Sequence, residues 1–247
     1  MNMSLTEVTV AFKRALEGLG FSLGDYEDAA RMIAWSEAHG LGGLQMAQSA
    51  LPHLAPGTGP IKLFEHSDAR AVIDADGGSV LFCGGQAVDL AYANAQQVNL
   101  SVVVLDDCRN RKLVMERLGN CGRRGMNCLA YWRDEGASPI EHVVSVAAGE
   151  SLPDYRHYRV ERRDGVDTRT LYIVCSNNAE LVAAHSSRYL REIVGGEVRV
   201  PAAQLALSYN ASLDQGLGVN EELRASLNRL IEKILVESTD RTVLGAE

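Results

Sequence analysis

The chain has 247 residues, of which 46% are hydrophobic and 23% are charged, and this length and composition predict one folded globular unit rather than a disordered chain. Lys and Arg total 24 against 32 Asp and Glu, for a formal net charge of −8, and the basic residues are scattered, which disfavours a nucleic-acid partner. The sequence starts without a secretory signal pattern and has no run of about 20 apolar residues, so we expect a cytoplasmic protein that does not enter a membrane.

Helical patterns fill the first part of the chain. Residues 4–7, Ser-Leu-Thr-Glu, form a capping box that predicts the start of a helix extending to residue 19. A second helix is predicted at 25–39, with Gly40 just past its end, and a short third helix at 44–51. The prolines and glycines of 52–60 then predict a linker.

The middle of the chain predicts strands that alternate with helices, as in α/β proteins. The predicted elements are strands at 71–73 and 79–82, a helix at 86–97, a buried strand at 100–105, a helix through 113–118, a glycine-rich break at 119–125 and a strand at 126–132.

The last part of the chain predicts antiparallel strands followed by helices. Its predicted strands are 142–147, 155–160 and 168–175, with Arg163-Asp164-Gly165 joining the last two as a hairpin. The predicted helices are 179–194, which ends before Gly195-Gly196, and 220–236, which carries a strong apolar stripe.

His39 is the first candidate for chemistry, because a histidine side chain exchanges protons near neutral pH. At a helix end the last carbonyls stabilise an imidazolium, which would make His39 a proton donor. A histidine that merely caps the helix fits the same pattern, so both interpretations stay open. His185 is predicted to pack within its helix, and spacing suggests no partner for the others, His53, His66, His142 and His157.

The five cysteines, at 83, 108, 121, 128 and 175, include no C-x-x-C spacing, which predicts reduced thiols and no structural metal. Arg109 would lower the pKa of Cys108, but Asp106 and Asp107 oppose that effect, so a reactive thiol is the less favoured alternative. The chain also lacks the common motifs for phosphate and dinucleotide binding.

A resemblance to a known family decides between some of these alternatives. The run Glu37-Ala38-His39-Gly40-Leu41-Gly42-Gly43-Leu44, together with the helices around it, resembles the N-terminal region of the malate/L-lactate dehydrogenase family. In that family a Ser-His-Gly motif follows a similar helix, and its histidine is taken as the proton donor. Gly77-Gly78, the strand at 100–105 and residues 119–131 resemble the family's next region. The whole looks most like a compact bacterial family of unknown function related to these type-two, non-Rossmann enzymes.

The resemblance implies a fold, an assembly and a reaction. The fold would be α/β and non-Rossmann, with a mixed sheet, N-terminal helices and a C-terminal helical segment. Residues 1–60 would pack with 196–247, and 61–195 would form a central α/β domain. The protein would be a homodimer that reduces a small 2-oxo acid or cyclic imine with NAD(P)H, with His39 as proton donor.

Three departures from the family put parts of this interpretation in question. Ala38 replaces the motif serine, and Gly42, Gly43 and Leu44 stand where the family has a carboxylate-binding arginine. The cofactor side is expected at 106–109, Asp-Asp-Cys-Arg, where the family has an asparagine and a histidine. Two carboxylates there would repel a pyrophosphate, so the cofactor site is either altered or lost.

The substrate side is expected at Gly40 and at Arg241, in an ending at 238–246 like that of the compact family. Arg241 could bind a carboxylate bidentately, or it could be an exposed tail residue. The cofactor-side residues in full are Asp106, Asp107, Cys108 and Arg109.

Three functions therefore stay open. The first is an NAD(P)H-dependent reductase of this family type. The second is a non-redox enzyme, such as a lyase, hydrolase or isomerase, on the same scaffold without a nicotinamide cofactor. The third is a non-catalytic ligand-binding homologue in which His39 only caps its helix.

Overall fold

A computed structural model describes residues 2–54, 62–67, 69–134, 138–161 and 169–234. The chain begins with a two-residue strand, β1 (Asn2–Met3), and then forms three helices, α1 (Leu5–Gly18), α2 (Leu23–Ala38) and α3 (Gly43–Ala50). The predicted capping box is confirmed, because Ser4 Oγ accepts from the Glu7 backbone N–H at 3.2 Å and the Glu7 carboxylate accepts from Ser4 N–H at 2.8 Å.

An eight-stranded mixed sheet forms the centre of the molecule. Its strands are β2 (Lys62–His66), β3 (Arg70–Asp74), β4 (Leu100–Asp106), β5 (Asn127–Arg133), β6 (Ile140–Val146), β7 (Asp154–Arg159), β8 (Leu171–Ser176) and β9 (Gly195–Val200). They are ordered β2-β3-β4-β8-β5-β6-β7-β9. The β3–β4 pair is parallel and the other described pairs are antiparallel.

Five further helices and one short strand complete the described chain. They are α4 (Val80–Val98), α5 (Met115–Arg123), α6 (Ala179–Tyr189), α7 (Ala202–Gln215), β10 (Leu217–Gly218) and α8 (Glu221–Ile231). The larger apolar core lies among α1, α2, α4, α5 and one sheet face, and a smaller cluster lies between the opposite face and α6. Near the chain ends, β1 pairs with β10 and α1 packs against α8. None of the helices in the described ranges is both long and apolar enough to cross a bilayer.

The predicted α/β class with a mixed sheet is confirmed, but some local predictions were wrong. Residues 79–82, predicted as a strand, are the first turn of α4, because Ser79 Oγ accepts from Leu81 N–H at 3.3 Å and caps the helix. The glycine-rich break at 119–125 is largely helical. Gly119 and Gly122 lie inside α5 because the helix packs closely there: a Cβ on Gly119 would lie 2.4 Å from the Ser151 carbonyl oxygen.

The later part of the chain contains further corrections. The strands β7 and β8 are not neighbours, so the predicted hairpin between them is wrong; β7 lies between β6 and β9, whereas β8 lies between β4 and β5. The predicted turn at 163–165 and most of the 52–60 linker lie outside the described residues. The helix predicted at 179–194 ends at Tyr189, and β9 and α7 follow where no element was predicted.

Candidate active site

His39 lies at the C-terminal end of α2 with only 5% of its surface exposed. Its Nδ1 is 2.7 Å from the Trp35 carbonyl oxygen, so a neutral ring donates its Nδ1–H there and presents an unprotonated Nε2. Nε2 makes no hydrogen bond within the parts of the chain that the structure describes. This nitrogen is therefore the position from which His39 can exchange a proton with a ligand.

Two aromatic rings hold the imidazole of His39. The Trp35 ring stacks on it from the same helix at 4.0 Å between centroids, and the Tyr209 ring of α7 stacks at 5.0 Å. Burial lowers the pKa of His39 and outweighs the opposing effect of the hydrogen bond to Trp35. The carbonyl at the helix end favours the imidazolium as expected, but burial disfavours the charged ring more strongly, so the net shift of the His39 pKa is downward.

Gly40 follows with a left-handed backbone, φ +73°, which ends α2 and turns the chain toward α3. The Leu41 N–H donates to the Ser36 carbonyl at 2.8 Å and completes the turn. A Cβ at Gly40 would lie 3.0 Å from Ser208 Oγ on α7, so glycine also permits the close approach of α7. These contacts give Gly40 a structural role, while its contact with substrate stays a prediction.

Lys112 joins the His39 turn to the sheet. It follows β4 in a short 3-10 turn, and its Nζ donates to the Leu41 carbonyl oxygen at 3.0 Å. The same ammonium group lies 5.4 Å from the centroid of the Tyr155 ring on β7. Burial lowers the pKa of Lys112. No Asp or Glu of the described ranges forms an ion pair with it.

Beyond Lys112, side chains from three strand regions form a hydrogen-bonded chain that the sequence did not predict. Asp134 Oδ2 is 2.8 Å from His142 Nε2, and His142 Nδ1 is 2.8 Å from the Tyr155 hydroxyl. Arg111, next to Lys112, donates to Asp134 Oδ1 at 3.0 Å. The carboxylate thus orients the imidazole, an arrangement that acid–base sites use.

Burial and nearby charges shift the pKa values of the residues in and beside the Asp134–His142–Tyr155 hydrogen-bonded chain. Burial acts to raise the pKa of Asp134, but hydrogen bonds and charges from His142 and Arg111 outweigh it, so that pKa lies below its usual value. Burial and the charges of His142 and Lys112 lower the pKa of His157, which stacks on His142 at 5.5 Å. Asp134 is therefore ionised at neutral pH, whereas His157 favours its neutral form.

Residues 106–109, the predicted cofactor segment, form hydrogen bonds and an ion pair with other parts of the protein. Asp106 accepts from the Thr170 hydroxyl at 3.1 Å, and Asp107 pairs with Arg169 at 2.9 Å. The Arg109 backbone exchanges hydrogen bonds with Gly78 and Val80 at the start of α4, while its residue surface is exposed.

These contacts weaken the repulsion that the sequence suggested, because Arg169 offsets the charge of Asp107. Arg109 is exposed, and a guanidinium group can bind phosphate. A hydrogen bond with Cys83 and burial raise the pKa of Cys108 well above its usual value, so its thiol is protonated. Whether these four residues contact a cofactor stays a prediction. Arg241 lies outside the described residues.

The structure therefore places Lys112, which follows β4, beside the turn at His39 and Gly40. It also reveals the hydrogen-bonded residues Asp134, His142 and Tyr155. Those three residues come from separate strand regions, and only the sheet register places them side by side. The one available signal was the run of aromatic and histidine residues near the starts of β6 and β7.

Residues 3–104 match the model of a family described as a protein of unknown function, DUF3726. No curated protein sequence matches the chain. The structure is similar to malate dehydrogenase from Pyrococcus horikoshii OT3, at TM-score 0.67 and 10% identity, over 97% of this chain and 97% of that one.

Two further solved structures are similar to this chain. Sulfolactate dehydrogenase from Methanocaldococcus jannaschii gives a TM-score of 0.64 at 11% identity, over 94% of this chain and 97% of that one. The Δ1-piperideine-2-carboxylate reductase from Pseudomonas syringae pv. tomato gives 0.57 at 12% identity, over 94% of this chain and 99% of that one. The expected relation between a family of unknown function and the malate/lactate dehydrogenase fold is confirmed.

Proposed function

We propose that this protein is a homodimeric oxidoreductase that reduces a small 2-oxo acid or cyclic imine carboxylate with NAD(P)H. One observation carries the proposal: the partly buried Lys112 ammonium group lies beside the His39 turn without a carboxylate partner among the described residues. The fold supports the reaction type, because structurally similar proteins are named as enzymes for such substrates. One of them is a Δ1-piperideine-2-carboxylate reductase.

Lys112 is the group that we expect to bind the substrate carboxylate. A half-buried ammonium with a lowered pKa lacks full hydration, and a carboxylate ligand would restore its charge-assisted contacts. Lys112 would thereby replace the carboxylate-binding arginine that the sequence lacks at 42–44. Its hydrogen bond to the Leu41 carbonyl holds it beside the turn that follows His39, and we expect a short substrate to reach both side chains.

His39 is the group that we expect to protonate the carbonyl oxygen or imine nitrogen. Its Nδ1–H is held by the Trp35 carbonyl, which leaves Nε2 for the substrate. Its lowered pKa makes the imidazolium a stronger acid than a free histidine, while neutral His39 suits the reverse oxidation. Tyr209 and Trp35 fix the plane of the ring.

The cofactor would lie against 106–109, with Arg109 toward its phosphates. Asp106 and Asp107, held by Thr170 and Arg169, would shape this wall rather than bind the phosphates. When bound, the reduced nicotinamide supplies the hydride. We expect micromolar to millimolar binding of NADH or NADPH, measured by fluorescence titration.

The first experiment compares 2-oxo acids and cyclic imine carboxylates with their methyl esters, which lack the charged group. In Lys112→Met we expect the KM for the acids to rise about tenfold or more, since a charged hydrogen bond contributes about 1.5–3 kcal/mol. The esters should be affected little. Lys13→Met, which removes an ammonium from a surface ion pair, is the matched control. Equal loss for acids and esters, or no binding of either nicotinamide cofactor, would refute the proposal.

A second candidate function follows from the Asp134–His142–Tyr155 chain. A carboxylate-oriented histidine can perform proton transfer without a nicotinamide, as a lyase, hydrolase or isomerase requires. This alternative predicts turnover in the absence of NAD(P)H that His142→Asn abolishes and His66→Asn, at an exposed position of β2, leaves unchanged. A ligand that binds but is not converted under either condition would instead indicate a non-catalytic binding protein.

A further inference from the structure

Three buried cysteines from different elements converge on one point, and none of them is a residue of the proposed reaction. They are Cys121 on α5, Cys128 on β5 and Cys175 on β8, each at most 1% exposed. Cys175 Sγ lies 3.8 Å from Cys128 Sγ and 3.9 Å from Cys121 Sγ, and all three sulfur atoms lie within 4.8 Å of one another.

The fold holds this cluster in place through its backbone. Cys128 and Cys175 are directly opposite each other in the antiparallel β5–β8 pair. The third member, Cys121, is fixed by the tight turn that leads from α5 into β5, in which Met126 N–H donates to the Cys121 carbonyl. The three thiols therefore form a preorganised set rather than a chance meeting of mobile side chains.

We propose that Cys121, Cys128 and Cys175 form a binding site for one thiophilic metal ion, copper(I), in three-coordinate geometry. Metal–sulfur bonds of about 2.3 Å at 120° to one another place the sulfur atoms about 4.0 Å apart. The two shorter separations here, 3.8 and 3.9 Å, match that triangle, so an ion at its centre needs little movement of the chain. Soft thiolate ligands select such metals.

Copper(I) fits the site better than zinc. Structural zinc sites are four-coordinate and tetrahedral, and no fourth His, Cys, Asp or Glu joins this group within the described ranges. Copper(I) accepts three thiolates without a further ligand. The prediction of no structural metal rested on the missing C-x-x-C spacing, and that pattern cannot detect ligands from a helix and two separate strands.

Binding must release the thiol protons. Three thiols and one copper(I) ion give a three-thiolate complex of charge −2 and three protons, with no change of oxidation state. The charge of Arg124 acts on Cys121 and offsets part of the charge of the complex, although Arg124 is itself paired with Asp89 at 2.8 Å.

The test titrates the whole reduced protein with copper(I) under anaerobic conditions, in competition with bathocuproine disulfonate, and separately with zinc. We expect one copper equivalent per chain, a sulfur-to-copper absorption band in the ultraviolet, and three sulfur neighbours by X-ray absorption. Cys128→Ser and Cys121→Ser should each weaken binding at least about 100-fold, since loss of an outer-shell partner alone costs 10–100-fold. Cys83→Ser, another buried free cysteine, should bind as the unchanged protein does.

X-ray absorption is measured on the unchanged protein, so the proposal can be tested even if a cysteine variant fails to fold. The proposal would be overturned if the unchanged protein bound copper(I) no more tightly than Cys121→Ser and Cys128→Ser do. A Cys128–Cys175 disulfide in the freshly purified protein, or a single equivalent of zinc bound in preference to copper(I), would overturn it as well. Because the site shares no residue with the proposed reaction, none of these results bears on the proposed reductase function.

Discussion

At the scale of single residues, the buried position of His39 determines how its activity should depend on pH. Burial places the pKa of His39 below its ordinary value of 6.5. The ring is therefore neutral at pH 7, and the proton that reduction requires becomes available only as the pH falls.

We expect the reductive kcat/KM to rise as the pH falls through a value below 6.5, and the oxidative rate to fall over the same range. His39→Gln should lower kcat about 10²–10⁴-fold and remove this pH dependence. His66→Gln, at an exposed position, is the control, and the rates are measured from pH 5 to 8. A variant that loses rate but keeps the pH profile would show that His39 only positions other groups.

Glu141 is a buried residue whose contacts we expect to stabilise the fold. It is fully buried in β6, where it pairs with Arg133 and accepts from the Tyr158 hydroxyl at 3.1 Å and from Arg191 N–H at 2.9 Å. Removal of the carboxylate leaves the partners of a buried ion pair unsatisfied.

Glu141→Leu should therefore lower the free energy of unfolding by about 3–5 kcal/mol, measured by urea denaturation. The matched change Glu65→Leu removes an exposed ion pair with Arg70 and should cost at most about 1 kcal/mol. Equal effects of the two changes would mean that the Glu141 pair is no stronger than a surface pair.

The candidate residues divide by how far apart their partners lie in sequence. His39 and Gly40 could be predicted because a helix end and a left-handed glycine are local features. Asp134, His142 and Tyr155 could not, since their contacts depend on the register of β6 against β5 and β7. Lys112 was missed for the same reason: its partner, the Leu41 carbonyl, lies 71 residues away.

At the scale of elements, the sequence predicted best where one local signal dominated. The capping box of α1 and the apolar run of β4 are such cases. At 79–82 an apolar run predicted a strand, but these residues form a helix because Ser79 caps it and α4 packs on the sheet. The order of β7, β8 and β9 depends on pairing between distant strands, which no local pattern specifies.

The close contact between α2 and α3 gives a prediction at this scale. A Cβ on Gly43, the first residue of α3, would lie 2.1 Å from the Ile33 carbonyl oxygen and 2.6 Å from the Glu37 nitrogen, both on α2. Backbone atoms cannot yield, so Gly43→Ala must separate the two helices beside His39.

We expect Gly43→Ala to lower the free energy of unfolding by about 1–3 kcal/mol, as overpacking does, and to reduce turnover. Gly24→Ala is the matched control, because that glycine lies in α2 with nothing within 4 Å of the added Cβ. It should be neutral or stabilising by up to about 1 kcal/mol. Thermal unfolding of both proteins distinguishes these outcomes, and equal stability would contradict the close packing of α3.

At the scale of the whole molecule, the N-terminal and C-terminal segments of the described chain pack against each other. β1 pairs with β10, α8 packs on α1, and α7 lies against α2 with Tyr209 over His39. The N-terminal helices supply the histidine, and the C-terminal segment covers it. The proposed division into 1–60 with 196–247 and a central 61–195 stays a prediction, and its boundary at 195 falls within β9 of the central sheet.

The outer side of α7 motivates the last prediction, which concerns the proposed homodimer. Leu207 and Leu213 are 71% and 57% exposed there. Leu207 is next to Ser208, and Leu213 follows Tyr209 by four residues, or about one turn. Ser208 and Tyr209 contact the His39 turn. Contiguous exposed apolar surface marks contacts between subunits, and we expect Leu207 to lie in such a contact in the proposed homodimer. A partner on this side would fix α7, and with it the ring that stacks on His39.

Leu207→Glu should therefore shift the protein from dimer to monomer in light scattering after size-exclusion chromatography, and it should lower turnover because α7 is no longer held in place. Leu23→Glu introduces the same charge at an exposed leucine in the first turn of α2, at the opposite end of that helix from His39, and should change neither property. If the unchanged protein is a monomer at micromolar concentration, the homodimer is wrong. If Leu207→Glu stays dimeric and active, the dimer forms through another surface.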